Sequence, residues 1–287
     1  MSDRTGPRAA PKVNTARVLR AERVTPHVIR LVLGGEELRD FAARSDTDQY
    51  VKILFPVPGV DYPEPLDIAA VRRDLPRHAW PRTRTYTVRA WDPEALELTI
   101  DFVHHGDAGL AGPWAAAARP GDPVSFLGPG GGYAPAPEAA WHLLAGDESA
   151  LPAIAAALEA LPAGAVARVF VEVAGPEEEQ KLDAPAGAEI RWLHRGAGRV
   201  GDALVAAVTS AAFPPGPPQA FVHGEAHFVK ELRRHLRQDR GLPREALSIS
   251  GYWRRGSDED GWQAGKAEWN RQVEREQETA HVRDYPA

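Results

Sequence analysis

A break in texture at residues 128–140, GPGGGYAPAPEAA, separates two halves that no single architecture accommodates. Upstream, VNTARVLRAERV (13–24) and HVIRLVLGG (27–35) alternate loosely and are joined at Thr25-Pro26, the pattern of two antiparallel strands stopped by Gly34-Gly35. DQYVKILFPV (48–57) is a third strand closed by Pro56 and Pro58. Residues 59–81, with Pro63, Pro65, Pro76 and Pro81, read as an irregular loop. RTYTVRAW and ALELTIDFVHH pair around Asp92-Pro93-Glu94, and DPVSFLG adds a sixth strand after the short helical segment GLAGPWAAAA. Six short strands with one small helix predict a six-stranded antiparallel β-barrel, closed so that no edge is left unpaired.

Downstream the pattern alternates between strand and helix. WHLLAG, ARVFVEVAG, QAFVHGE and ALSISGYW are short apolar runs, separated by the helical stretches SALPAIAAALEAL, GDALVAAVTSAAF and AHFVKELRRHLRQ. Such alternation implies an open parallel α/β sheet covered on both faces. A charged helix, DGWQAGKAEWNRQVEREQE, follows, with Trp262, Trp269 and Val273 at helical spacing. The expected organisation is a barrel domain over residues 12–136 and an α/β domain with a C-terminal helical extension over 137–287. No internal repeat interrupts it.

The 287 residues contain no Cys, which excludes disulfides, thiol catalysis, Cys-ligated zinc and Cys-held iron–sulfur clusters, so redox chemistry here needs a bound organic cofactor. A net charge of −6 argues against general nucleic-acid binding. No apolar run reaches the ~18 residues of a membrane span, and MSDRTGPRAAPK lacks the apolar segment of a signal peptide, so a cytoplasmic protein is expected. His223 and His227 are split by a strand-to-helix turn through Gly224, so no protein-ligated metal is expected. No nucleophile elbow or acid/base pair is visible, and no catalytic side chain is assigned.

Two stretches carry chemistry. In RTRTYTVRA (82–90) a strand sends Arg84 and Tyr86 to one face and Thr85 and Thr87 to the other. A guanidinium that can neutralise a diphosphate then lies ~6–7 Å from an aromatic platform, although an edge arginine beside a half-core tyrosine gives the same pattern. In DFVHHGDAGLAGPWAAAARPGD (101–122) a strand end passes through glycines into a helix start, where free N–H groups can face phosphate or the chain can simply turn.

An antiparallel barrel followed by an open α/β domain, without Cys, is similar to the flavin reductases of the ferredoxin-reductase type, and RTYT matches their Arg-x-Tyr-Ser/Thr signature. In YVKILFP, PRTRTYTVRA, DFVHHGDAGLAGPWA, RPGDPVSFLGPGG, LLAGDESALPAIAAALEALP, VHGEAHFVKELRRHL and SGYWRRG, in order over about 250 residues, the chain resembles the siderophore-interacting protein family. The resemblance implies FAD on the barrel, a reduced pyridine nucleotide on the second domain, and electrons passing through the flavin to Fe(III) held by a ferric siderophore. It also implies that Arg84, Thr85, Tyr86 and Thr87 hold the flavin and its diphosphate. Asp101, Phe102, Val103 and His104 then meet the ribityl and adenosine parts, and Gly109, Ala111, Gly112 and Trp114 form the pyrophosphate loop, whose spacing departs from the family's. Asp147, Glu148 and Ser149 match the family's Gly-Asp-Glu-Thr turn facing the crevice of the sheet.

The second domain lacks G-x-G-x-x-G, so the donor nucleotide is expected at the Gly146 turn and the strand ends near Glu172 and His223. Glu177, Glu178 and Glu179 stand where a 2′-phosphate would need cations, which favours NADH over NADPH, unless the run is a solvated helix face. Arg254, Arg255 and Lys266 are the expected substrate-binding cations, with Lys230, Arg233 and Arg234 a second set. A monomer is expected, and a ferredoxin is an alternative electron donor. A general flavin oxidoreductase with another acceptor, or a non-catalytic siderophore carrier, are the rival functions.

Overall fold

The computed structural model describes residues 12–283, with side chains to residue 277. The first eleven residues, in which no signal segment was expected, and the last four of the expected second domain lie outside the described residues. The first half forms β1 (Val13–Thr25), β2 (Val28–Gly34), β3 (Tyr50–Phe55), β4 (Arg82–Asp92), β5 (Glu97–Val103) and β6 (Pro123–Gly130). These close into a barrel in the order β1-β2-β5-β4-β3-β6, antiparallel throughout. Alternation drives the closure: Leu31 and Leu33 on β2, Val51 and Ile53 on β3 and Leu98 and Ile100 on β5 are at most 1% exposed inside it.

Residues 59–81 are not wholly irregular. They hold α1 (Ile68–Asp74), whose N-cap Asp67 accepts hydrogen bonds from the Ala69 and Ala70 N–H groups at 2.8 and 3.1 Å. The flanking prolines hide this single short helix from periodicity. A second, α2 (Ala111–Ala117), follows β5. Gly112 lets α2 sit on the strand end, since a Cβ there would lie 2.9 Å from the Val103 carbonyl. Trp114 pins it by edge contacts to Phe55 at 5.5 Å and Phe102 at 5.6 Å.

The second half is β7 (Trp141–Gly146), α3 (Leu151–Ala160), β8 (Val166–Val173), β9 (Gly187–His194), α4 (Asp202–Ser210), β10 (Pro218–Glu225), α5 (Ala226–Arg234), β11 (Leu247–Trp253) and α6 (Glu259–Arg283). The five strands form a parallel sheet in the order β11-β10-β7-β8-β9. The edge strand β9, GAEIRWLH, is an addition to the four expected; only Leu193 in it is buried, so its alternation is faint. Strand order reverses between β7 and β10, and ligands of open α/β sheets bind outside the carboxyl ends at such a point. The two halves are tied by Tyr133 against Phe221 (4.8 Å) and by the fork of Arg89 on Glu159 (2.6 and 3.0 Å).

Candidate functional site

A cavity of about 660 Å3 opens where barrel and sheet meet. Its barrel wall follows from strand register. Thr85 pairs across the ladder with Lys52, and Thr87 with Tyr50, so these four side chains share the outer face of the barrel. Arg84 and Tyr86 stand opposite Ile53 and Val51 on the other face. Tyr86 still borders the cavity, with its ring 4.3 Å from that of Phe102. Burial pushes its hydroxyl well above the ordinary phenol range, so the ring stays neutral. The opposite wall is His223 on β10 with Ser248 and Tyr252 on β11, and Trp262 and Lys266 of α6 close the top.

Two cations, Lys52 and Lys266, face this space, and among the described residues neither has a carboxylate within ion-pair distance. Burial, and then the charge of Lys52, lowers the pKa of Lys266. Two unneutralised ammonium groups in a partly desolvated concavity favour an anionic occupant. His223 adds a neutral imidazole: it stacks on Phe221 at 3.9 Å and meets Ser248 Oγ at 3.0 Å through Nε2, while its buried Nδ1 has no partner. Burial pushes its pKa down to about 3.

Arg84 is already engaged. The first turn of α6 lays Glu259 and Asp260 on it, at 3.7 and 3.3 Å, and the Thr85 N–H donates to Glu259 at 2.8 Å. Two carboxylates thus already hold this guanidinium and the Thr85 backbone donor, the groups expected to meet a diphosphate.

The expected residues fall in different places. Thr85, Tyr86, Thr87, Asp101, Val103 and Glu148, with Ser149, Arg254 and Lys266, border the cavity. Asp101 is gripped by Arg30 through two hydrogen bonds of 2.7 and 2.8 Å, and Glu148 makes an ion pair with Arg195 at 2.6 Å. Phe102 is sealed in the barrel core, and Ala111, Gly112 and Trp114 seat α2 on the barrel. Gly109 and His104 do not border the cavity, and His105 does. Asp147, 1% exposed, accepts hydrogen bonds from the Ser149 N–H, Glu225 N–H and Trp253 Nε1–H at 2.8–2.9 Å, so it knits the ends of β7, β10 and β11 instead of facing a ligand. Arg255 lines a separate groove.

The acidic run also differs from either expectation. Glu178 is buried and binds Thr25 and His27 of the barrel, Glu179 is exposed but pairs with His194 at 2.7 Å, and Glu177 is exposed without such a partner among the described residues. Tyr50, Lys52, His105, Ser248 and Tyr252 were not expected in the site; strand pairing brings Tyr50 and Lys52 there and the packing of the two halves the rest, while His223, expected beside a nucleotide, does border it. Glu172 caps α4, accepting from the Gly201 and Leu204 N–H groups at 2.7 and 3.1 Å.

A closed antiparallel barrel joined to a parallel sheet, with a cavity at the junction, is the architecture of ferredoxin-reductase-type flavoproteins. Residues 17–133 match the model of the siderophore-interacting FAD-binding domain, and residues 139–256 that of the siderophore-interacting protein. The chain belongs to the siderophore-interacting protein family. It is 47% identical over 265 residues to an uncharacterized protein of Mycobacterium tuberculosis, covering 88% of this chain and 93% of that one. It is 32% identical to ferric vibriobactin reductase ViuB of Vibrio cholerae, covering 85% and 90%. The crystal structure of a siderophore utilization protein from T. fusca superposes with a TM-score of 0.75 at 40% identity, covering 86% and 94%.

Proposed function

We propose that the chain is an FAD-dependent ferric-siderophore reductase of the cytoplasm, acting as a monomer and fed by NADH or NADPH. The observation that carries this is the junction cavity, in which an aromatic ring and threonine hydroxyls on one strand face two unpaired lysines. The residues present fit a flavin: Tyr86 offers a platform, Thr85 and Thr87 offer hydroxyls, and the volume of about 660 Å3 is that of a cofactor site. Bound FAD would supply the chemistry, taking two electrons from the nicotinamide and passing them singly to chelated Fe(III).

The side chains bind, orient and exclude. Tyr86, backed by Phe102, fixes the plane of the ring, and Arg84 holds the diphosphate once α6 yields it. Lys52 and Lys266, with Arg254 at the rim, draw in an oxygen-rich anionic chelate and keep it against the flavin edge. His223, neutral and buried, contributes a polar but uncharged wall and leaves the attraction to the lysines. No side chain is asked to act as a general acid or base.

The visible spectrum of the purified protein tests this. Flavin bands should bleach under anaerobic NADH or NADPH and return when a ferric siderophore is added. Bleaching without return would point to a different acceptor, and a colourless protein that takes up no added FAD would leave a carrier.

A further inference from the structure

A second concavity, of about 720 Å3, runs between α5 and α6 beside the turn that follows β11. Four guanidiniums line it, those of Arg199, Arg234, Arg254 and Arg255, and among the described residues none has an ion-pair partner. The lysine there is neutralised, Lys230 by Glu276 at 2.5 Å, and the His227 ring lies 2.9 Å from Glu231. In a chain of net charge −6, four free arginines in one groove concentrate positive potential against the sign of the whole molecule.

The groove is built. Glu225, 4% exposed, spends its carboxylate on backbone: Oε2 accepts from the His227 N–H at 2.7 Å and Oε1 from the Arg255 N–H at 3.1 Å. That ties the arginine turn to the start of α5, where Arg254 and Arg255 are exposed along the groove. Trp269 presents a half-buried ring to the groove and meets Trp262 of the junction cavity edge-on at 5.4 Å. Arg254 borders both spaces, so the groove adjoins the cavity at that side chain.

The opposite flank of the switch point is the poorer place for phosphate. The ends of β7 and β8 carry the buried Asp147 and Glu172 and the half-buried Glu148, all committed to internal partners. A guanidinium fork binds phosphate oxygens in pairs, an indole stacks on a purine, and a concavity of this size takes a small molecule.

We propose that the α5–α6 groove binds the adenosine diphosphate half of the pyridine nucleotide donor. Adenine lies on Trp269, the phosphates lie among Arg199, Arg234 and Arg255, and Arg254 marks the passage to the flavin cavity. This rests on a pyridine nucleotide being the donor, and it moves that nucleotide away from the Gly146 turn.

Calorimetry on the flavin-loaded protein tests it with ADP-ribose, which cannot donate electrons, and with inorganic pyrophosphate. Wild type should bind both, and R234A/R255A should bind both at least about tenfold more weakly, the loss of paired charge-assisted contacts. Trp269→Ala should weaken ADP-ribose and leave pyrophosphate unchanged. FAD content, read from absorbance, should be equal in all three proteins, which separates loss of the groove from loss of the fold. R234K/R255K, which keeps the charge without the fork, should recover part of the affinity. ADP-ribose binding equally to wild type and R234A/R255A, or not to wild type at all, overturns the site. If ADP-ribose binds in the groove but neither NADH nor NADPH bleaches the flavin, the donor reading is overturned instead.

Discussion

At Asp147 a carboxylate is kept in a fully buried position by its hydrogen bonds, and burial pushes its pKa up to about 6. The folded state therefore holds a proton that the unfolded chain releases near pH 4. Stability from this group is present in acid and is lost as pH rises toward 6, the reverse of a surface-paired aspartate. Asp147→Asn keeps the shape and removes the titration. The cost of the substitution, measured by urea unfolding, should thus be larger at pH 4.5 than at pH 7 by about 2 kcal/mol. A cost independent of pH would mean the buried group does not titrate in that window. Tyr86 belongs to the same scale. With one face on Phe102, its ring is held where a flavin could lie, so Tyr86→Ala should lower FAD retention through gel filtration by about tenfold while Tyr86→Phe retains it. Equal FAD-to-protein ratios in wild type and Tyr86→Ala would remove the platform.

Among the elements, all six barrel strands were legible because each alternates or is bounded by Gly and Pro, and α3 and α5 because apolar residues repeat at helical spacing. The edge strand β9 was not, since an edge exposed on both faces needs no apolar pattern. The same limit hid half of the site. RTYT announces its chemistry locally, whereas Lys52 reads as a polar residue in an ordinary strand and His223 as part of a strand end. Their significance arises only when α6 and β11 close over β3 and β4. The first turn of α6 was equally silent: Glu259 and Asp260 read as helix-start acids, and nothing local says that they reach Arg84. Burial raises the pKa of Glu259 despite that pairing, and Asp260 is partly exposed. Neutralising both acids with Glu259→Gln and Asp260→Asn should tighten FAD binding to the apoprotein by about threefold to tenfold in a fluorescence titration, since each partly exposed pair contributes up to about 1 kcal/mol. Weaker binding would show that the acids support the site instead of competing for it.

On the scale of the whole molecule, a reaction at a domain junction depends on how firmly two domains are held. Glu178 sits in a short turn after β8 and reaches into the barrel, accepting from the Thr25 hydroxyl at 2.5 Å and the His27 N–H at 3.3 Å, with the His27 ring at 2.5 Å. It is 1% exposed, so the barrel's β1–β2 turn and the sheet share one desolvated carboxylate. Glu178→Ala leaves the buried Thr25 hydroxyl without its acceptor, which costs about 1–3 kcal/mol, and removes a fixed point of the domain angle. The melting temperature and the FAD retained after gel filtration should both fall. Glu178→Gln, which can still accept from Thr25, should lie between that variant and wild type. Glu177→Ala, at the solvated neighbour, should change neither, nor the preference between NADH and NADPH, because that carboxylate faces water alone. If Glu178→Ala matched wild type in both measurements, the junction would be held by Tyr133–Phe221 and Arg89–Glu159 without it, and the cavity would owe its shape to packing instead of to this buried acid.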